Sequence, residues 1–283
     1  MKARARERGV IASFAGDTTG VSGGALMYHD LAGVPASGFE GAGAAVYKLE
    51  RDQFDEHLRV LAASFPAGPG VLDGRRQPPP RVPFVLTFDD GGISAIHIAD
   101  RLECRGWRGH FFITTSCIGS RRFLKGCDIR ALRAAGHVIG SHSATHPSVM
   151  SALSERTLAS EWCDSRARLE DLLGEDVVTA SLPGGYCSLR VVRAAERAGV
   201  QLLWTSDPTR RVRRSGKVWH IGRYAVYRHM DGRQAAALAG GSRIRQCQQW
   251  LRWNSLKPAK ALLGAMYPVL RDRLLTSRDR TKS

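Results

Sequence analysis

The chain has 283 residues, of which 43% are hydrophobic and 24% charged, the balance of an ordinary globular protein. A chain of this length can bury a substantial core, and α/β barrels of this size are commonly one domain. No run of eighteen apolar residues occurs, so the sequence predicts no transmembrane helix. The formal net charge of +16 favours nucleic acid, an anionic membrane surface or an anionic substrate as partner.

The N-terminus is basic, but the apolar stretch at residues 10–15 is too short for a signal peptide. We therefore expect a cytoplasmic protein, attached at most peripherally to the inner face of the membrane. Residues 1–23 are basic and then rich in Gly and Ser, and we predict them to be flexible. The six cysteines form no C-x-x-C pair, which favours reduced thiols over disulfides. The chain has no nucleic-acid-binding signature, so we expect no nucleic-acid partner.

The predicted elements begin with a strand at residues 25–28 and an amphipathic helix at residues 50–64. A proline-rich loop follows, and the apolar run at residues 84–88 reads as a buried strand. Further strands are predicted at residues 109–115, 137–140, 177–181 and 200–205, and helices at residues 93–104, 129–135, 154–173 and 189–198. Strands that alternate with helices predict parallel βα units and a (β/α) barrel, whose chemistry lies at the carboxyl ends of its strands.

Two polar motifs follow predicted strands. Asp89 and Asp90 end the strand at residues 84–88, and His142 and His146 follow the strand at residues 137–140. Two neutral imidazoles and one carboxylate can hold a divalent ion and leave positions open for water and substrate. The second carboxylate remains free for proton transfer, which is the equipment of a metal-assisted hydrolase. The alternatives are an Asx-type turn for the carboxylates and a helix-capping or surface pair for the histidines.

The segments TFDDG at residues 87–91 and HSATH at residues 142–146 resemble the two signature motifs of the NodB-homology polysaccharide deacetylases, carbohydrate esterase family 4. The resemblance covers about residues 24–240 and implies a distorted (β/α)7 barrel, an α/β fold. It leaves residues 241–283 as a basic, amphipathic, helical tail. It implies that a divalent metal, expected to be Zn²⁺, is held by Asp90, His142 and His146. It also implies that Asp89 is the base that takes a proton from water.

The third family motif is where this chain departs. Many members carry R-x-P-[FY]-G, whose arginine orients the catalytic aspartate, whereas Ser181 stands at that position here. By the same alignment, the N–H of Gly184 would face the developing oxyanion; the alternative is a glycine turn with no catalytic part. The remaining residues expected to line the substrate site are His29, Pro183, Gly185 and Tyr186.

The late family motifs are poorly matched. The segment around Arg223 resembles branches that carry an arginine before the final barrel strand, so we predict that Arg223 replaces the missing arginine in an ion pair with Asp89. Asp207 lies in the region of a late family motif and is the candidate for a similar supporting role. His220 and His229 are the candidates for the general acid, and a surface or core role is the alternative for each.

Two basic segments are candidates for contact with an anionic binding partner. Residues 210–217 place five cations on a predicted loop, which is either solvated or positioned at the active-site face to contact a phosphate. The tail from residue 243 to residue 283 interleaves Trp250, Trp253 and other apolar residues with ten Lys/Arg and two acidic residues. Pro258 and Pro268 are predicted to split it into short helices. The tail either lies on an anionic leaflet or packs on the barrel.

Together these features predict a metal-dependent hydrolase that removes N-acetyl groups from a glycan or a lipid-linked glycan precursor, as in exopolysaccharide biosynthesis. The alternatives are a catalytically weak glycan- or membrane-binding relative, and a hydrolase of a non-glycan amide.

Overall fold

The computed structural model describes residues 12–13, 21–33, 36–185 and 187–263, with the backbone alone for 12–13 and 256–263. Ten strands form one sheet: β1 Ala12–Ser13, β2 Ala25–Tyr28, β3 Val85–Phe88, β4 His110–Ile113, β5 Val138–Ser141, β6 Thr179–Ser181, β7 Leu202–Thr205, β8 Arg213–Ser215, β9 Val218–Gly222 and β10 Tyr224–Ala225. The α-helices are α1 Ala42–Ala45, α2 Arg51–Ser64, α3 Ala95–Glu103, α4 Gly126–Ala134, α5 Glu155–Leu173, α6 Leu189–Arg197, α7 Gly232–Ala239 and α8 Arg243–Leu263.

The sheet closes on itself through a broken strand. β2 to β7 lie side by side in chain order, and each neighbouring pair is parallel. β9 pairs in parallel with β7, whereas β10 pairs in parallel with β2. Only Arg223 separates β9 from β10, so the two together occupy the seventh position and join both edges of the sheet. The predicted distorted (β/α)7 barrel is confirmed.

The capping residues that predicted the helices also mark where the helices begin and end. Ser154 begins α5 by accepting a hydrogen bond from the Thr157 N–H, and Gly174 ends it in the left-handed conformation. α4 starts earlier than its apolar residues indicated, because the Asp128 carboxylate accepts from the Lys125 N–H at 2.8 Å. The helices cover the outside of the barrel with their apolar faces, as the sequence pattern predicted.

Apolar side chains fill the barrel interior at the amino ends of its strands. Inward-facing residues alternate along each strand. The cluster comprises Val21, Ala25, Leu72, Val85, Phe112, Leu202, Trp204, Val212, Trp219 and Ile221. Leu72 and Val21 come from connecting segments and seal this end. Polar inward-facing side chains therefore concentrate at the carboxyl ends of the strands.

Parts of the N-terminal and basic segments are more ordered than predicted. β1 pairs antiparallel with β8, and the Ser22 N–H donates to the Val82 carbonyl at 2.9 Å, so these parts of residues 1–23 are held against the barrel. The rest of that segment, residues 1–11 and 14–20, lies outside the described residues.

The basic segment at residues 210–217 is not a simple loop, because it contains β8 and a turn into β9. That turn lies at the amino ends of the parallel strands, and Arg210 donates to the Ser22 carbonyl at 2.8 Å, just before β2. The prediction that this segment contacts phosphate at the active-site face is therefore wrong for Arg210 and for the turn. An antiparallel strand carries the chain back across the barrel, which the sequence did not indicate.

The C-terminal tail begins with one long helix. α8 continues through Pro258, so the predicted split at that residue is wrong, whereas Pro268 lies outside the described residues. Gln246 donates to the Leu238 carbonyl at 3.1 Å and Gln249 to the Ala225 carbonyl at 2.7 Å, so one face of α8 packs on the barrel. None of the described helices combines the length and apolar character needed to cross a membrane. All six cysteines are free thiols, as predicted.

Candidate active site

The two carboxylates of the first motif both enter the barrel mouth. Thr87 on β3 and Asp89 directly after it both face inward, and both contact the same arginine. Asp90 has φ 77°, a left-handed conformation that Asp tolerates better than most residues, and Gly91 follows with φ 78°. A side chain at Gly91 would be strained at this φ and would press on Ile113 at 3.2 Å. The tight turn therefore aims the two adjacent carboxylates at one cavity in different directions.

A second turn positions the histidines. His142 is buried directly after β5, and Ser143 and His146 adopt positive φ values of 65° and 58°. The Ser143 hydroxyl accepts from the His146 N–H at 3.0 Å. The buried Glu161 carboxylate on α5 accepts from the Thr145 N–H at 2.9 Å and from its hydroxyl at 2.5 Å. The sequence analysis missed Glu161, although a carboxylate between the core residues of α5 was a signal.

Asp90, His142 and His146 bring one ligand atom each within 4.8 Å of one another. The Oδ1 atom of Asp90 lies 3.4 Å from the Nε2 atom of each histidine. This oxygen is buried and has no hydrogen-bond partner among the described residues, which an Asx turn would have provided. A buried orphan carboxylate oxygen facing two imidazoles fits a divalent cation.

The pKa values of these groups also favour the binding of a divalent cation. Burial opposes the ionisation of Asp90, but the close approach of His142 and the other neighbouring histidines outweighs it, so the pKa of Asp90 lies below its usual range. Burial lowers the pKa of His146 to about 4. A carboxylate and a neutral imidazole are the protonation states that metal binding requires.

Arg223 forms the predicted ion pair with Asp89. Its Nη1 and Nη2 atoms lie 2.7 and 2.9 Å from the Oδ1 and Oδ2 atoms of Asp89, and the Arg223 side chain is 0% exposed. Trp219, Ile221 and Arg223 alternate along the seventh strand, so the strand itself turns the guanidinium inward. Burial opposes the ionisation of Asp89, but the Arg223 charge and then His142 outweigh it, and the pKa of Asp89 is lowered.

Ser181, at the position of the missing arginine, links both motifs. Its hydroxyl donates to Asp89 Oδ1 at 3.1 Å and is also hydrogen-bonded to His142 Nδ1. The Ser181 carbonyl lies 3.2 Å from the same His142 nitrogen. Nδ1 is thereby engaged by β6, which leaves His142 Nε2 facing Asp90. The sequence showed only that an arginine was absent, not that the serine would hold both residues.

A cavity of about 710 Å³ opens above these residues. Its wall includes His29 and Gly184, as predicted, together with Tyr47, Tyr227 and Trp253. Gly184 has φ 64°, and a Cβ there would lie 2.2 Å from the Ser148 carbonyl oxygen, so the turn requires glycine.

Two predicted lining residues do not reach the cavity. Pro183 and Gly185 are buried and do not line it, and the Trp253 ring covers Gly185. Tyr186 lies outside the described residues.

The remaining candidates separate in space. His229 lines the cavity, whereas His220 lines a separate small pocket with Cys187, so His220 does not face the metal-ligand candidates. Asp207 accepts from the Trp253 indole N–H at 2.9 Å, so it supports α8.

Asp30 is a buried cavity residue that the sequence analysis missed. Its Oδ1 accepts from the hydroxyls of Ser37 at 2.5 Å and Ser94 at 2.8 Å. Burial, with the nearby Asp90 charge, raises the pKa of Asp30 to about 6. Its place beside His29 at a strand end was the available signal.

The comparisons with known proteins agree with this geometry. The family model described as polysaccharide deacetylase matches residues 76–203. YxkH of Bacillus subtilis (strain 168), named as a polysaccharide deacetylase, is 22% identical over 213 residues, which cover 73% of this chain and 72% of YxkH.

Two solved structures share the fold. IcaB from Ammonifex degensii matches with a TM-score of 0.62 at 22% identity and covers 79% of this chain and 98% of its own. The polysaccharide deacetylase BC0361 from Bacillus cereus matches with a TM-score of 0.64 at 17% identity and covers 78% of this chain and 69% of its own. The segment that matches the polysaccharide deacetylase family model, residues 76–203, therefore contains both motifs and all three metal-ligand candidates.

Proposed function

We propose that this protein is a metal-dependent deacetylase that hydrolyses the N-acetyl group of a glycan. One observation carries the proposal: a buried, ionised carboxylate clamped by an arginine stands next to an orphan carboxylate oxygen and two imidazoles at the floor of one large cavity. The first group suits proton transfer, and the second suits a divalent cation. The two-imidazole, one-carboxylate donor set supports Zn²⁺ as the native ion.

Amide hydrolysis needs an activated water, a polarised carbonyl and a proton for the leaving amine. A divalent metal, when bound, supplies Lewis acidity for the carbonyl and acidifies water. Asp89 accepts the proton of the attacking water, since its Oδ2 lies 3.9 Å from His142 Nε2 and therefore next to the ligand set. Arg223 and Ser181 keep Asp89 ionised and oriented. Of the two histidines considered as general acid, only His229 lies on the cavity wall.

Acetate release from N-acetylated oligosaccharides by the full chain tests this proposal. We expect activity that a chelator abolishes and added Zn²⁺ restores. Asp89→Asn should lower kcat by about 10²- to 10⁴-fold, the usual contribution of a general base, while the metal stays bound. Activity that persists after the metal has been removed, as measured by elemental analysis, would overturn the metal mechanism. Acetate release only from a non-glycan amide would instead reassign the substrate.

We propose further that the enzyme acts at an anionic membrane surface, where a lipid-linked glycan precursor would be available. The support is the outer face of α8, on which Ile244, Trp250 and Leu251 are 72%, 50% and 56% exposed. The net charge of +16 favours attraction to anionic lipid. The cytoplasmic side of the membrane stays a prediction.

Cosedimentation with vesicles that contain anionic lipid tests the membrane proposal. Truncation would remove the contacts of α8 with the barrel, so we choose the double substitution Trp250→Ser and Leu251→Ser. It should lower vesicle binding, whereas Ile96→Ser, at a 39% exposed apolar residue on α3, should not. Equal binding of all three proteins would remove the proposal, as would no binding by the wild-type protein.

A further inference from the structure

An aromatic wall leads from the catalytic carboxylates toward α8 along one side of the cavity. We use this name for His29, Tyr47 and Tyr227, whose rings stack in that order. The ring centroids of His29 and Tyr47 are 4.5 Å apart, and those of Tyr47 and Tyr227 are 5.3 Å apart. All three residues are half-buried and line the cavity.

The inner end of the wall lies beside the carboxylates of Asp89 and Asp90. The charges of Asp90 and Asp89 both act on His29, whose imidazole Nδ1 is buried and has no hydrogen-bond partner among the described residues. The outer end of the wall lies at α8, where the guanidinium carbon of Arg252 stands 4.8 Å from the Tyr227 ring centroid. The wall thus connects the reacting centre with a cation.

Three separate segments build this arrangement. Tyr47 precedes α2, Tyr227 follows β10 and Arg252 belongs to α8, and all three lie outside the segment at residues 76–203 that matches the family. The stacked rings cover one another's faces, and His229 and Arg252 also lie against the Tyr227 ring, so the wall presents ring edges to the cavity and supports Arg252 at its outer end.

Arg252 is the cation at the outer end of the wall that is available to a ligand. Lys48 also lines the cavity, but its ammonium group donates to the Ser37 carbonyl. Arg252 forms no ion pair within the described part of the chain, and its exposed side chain rests on Tyr227. A guanidinium supported on a ring keeps its N–H donors for a carboxylate or a phosphate, which it can bind bidentately.

We propose that Arg252, supported by the outer end of the aromatic wall, binds an anionic group on the substrate. The inference rests on the proposed function and narrows its substrate to an anionic, N-acetylated glycan. The anionic group is either a carboxylate on a sugar or the phosphate of a glycan precursor. Both sources present the same chemistry to the guanidinium.

Kinetics of the metal-loaded full chain on three substrates test the role of Arg252. The substrates are a neutral N-acetylglucosamine oligomer, an oligomer that alternates N-acetylglucosamine with a uronic acid, and the neutral oligomer carrying a terminal phosphate. Arg252→Met should lower the ratio of kcat/KM for an anionic substrate to that for the neutral one by about tenfold, mainly through KM. Arg252→Lys should recover part of this preference. The substrate whose preference falls identifies the source of the anionic group.

The matched control is Arg228→Met. Arg228 is an exposed arginine that pairs with Glu50 at 2.7 Å and does not line the cavity, so its removal should leave the preference unchanged. An Arg252→Met protein with the wild-type preference on both anionic substrates would overturn the role of Arg252.

The aromatic wall has its own test. Tyr227→Ala removes the ring on which Arg252 rests and should lower the same preference for an anionic substrate, whereas Tyr227→Phe, which keeps the ring, should preserve it. An unchanged preference in Tyr227→Ala would remove the wall from the proposal.

The proposed function can fail separately. If the wild-type enzyme releases acetate from none of these substrates, calorimetric titration of the Asp89→Asn protein with the same oligosaccharides still measures binding. The inference would be supported without the activity if the anionic oligomers bind more tightly than the neutral one and if adding Arg252→Met removes that difference. Absence of binding to all of them would overturn it.

Discussion

The two sides of the active site are built in different ways. On the first side, Asp90, His142 and His146 gather their ligand atoms through tight turns directly after β3 and β5, with positive φ at unusual positions. On the second side, Arg223 reaches Asp89 from a strand more than a hundred residues later in the chain, and α8 adds the outer wall of the cavity. Local backbone geometry thus places the candidate metal ligands, whereas barrel closure orients Asp89, the proposed base. Substitutions on the first side should therefore lower metal content, whereas substitutions on the second side should lower turnover and leave metal content normal.

The largest expected effect is on the first side. Asp90→Asn replaces the anionic ligand by a neutral amide, so we expect the bound metal to be lost and acetate release to fall to background. Elemental analysis and the acetate assay, on one preparation, measure both. Asp171→Asn, on the exposed surface of α5, is the matched control and should keep both. Full metal content in Asp90→Asn would contradict the assignment of this ligand.

Arg223→Met tests the second side. It should lower kcat substantially while the metal content stays normal, because Asp89 loses its orientation but the ligands are untouched. Removing one partner of a buried ion pair typically costs about 3–5 kcal/mol of unfolding free energy, so Tm should also fall. Arg223→Lys keeps the charge and should recover part of both. Turnover at the wild-type level in Arg223→Met would show that the ion pair is structural only.

The pH profile sharpens the same contrast. Arg223 helps to hold the pKa of Asp89 below its ordinary value, so the acid limb set by Asp89 lies at low pH in the wild-type enzyme. In Arg223→Lys the clamp is weaker, the pKa of Asp89 rises, and the acid limb of kcat/KM should move to higher pH. Ser181→Ala removes one hydrogen bond to Asp89 and should move it less. A limb that stays in place in both variants would assign it to another group.

The smallest effect is expected at Glu161, which braces the histidine turn without touching the ligand set. Glu161→Gln leaves one oxygen to accept from two Thr145 donors, so the turn should loosen. We expect metal affinity to fall by roughly tenfold, as for other residues that support ligands, with kcat near normal at saturating metal. Competition with a chromophoric chelator measures it. Asp164→Asn, on the exposed face of α5, should not change the affinity.

Features that depend on residues close together in the chain could be predicted from the sequence, whereas contacts between distant segments could not. The apolar runs and capping residues bounded the strands and helices, and the ligand candidates lie in two short segments, each directly after one strand. Arg223 could be found because its segment resembles family branches that carry an arginine before the final barrel strand. The contacts of Ser181 with Asp89 and His142 depend on three strands at once, so the sequence could show only that an arginine was absent.

The failures have the same origin. The alternative that put the basic segment at the active-site face is wrong for Arg210 and for the turn, because an antiparallel strand reverses the chain after residue 212. Pro258 was expected to break the tail, but one missing N–H does not end α8 here. The aromatic wall joins three segments far apart in the chain, and no periodicity in any one of them indicates that they meet.

The break between β9 and β10 has a consequence for how the enzyme is made. A ribosome that has synthesised residues 1–217 has released both motifs but not yet the residue that holds Asp89 ionised. Until the last barrel strand docks between β7 and β2, Asp89 lacks the guanidinium that orients it. The docking event that completes the barrel also delivers the guanidinium. An incompletely folded chain can therefore carry every metal-ligand candidate and still lack an oriented carboxylate beside them, so we expect hydrolytic activity to begin only when folding ends.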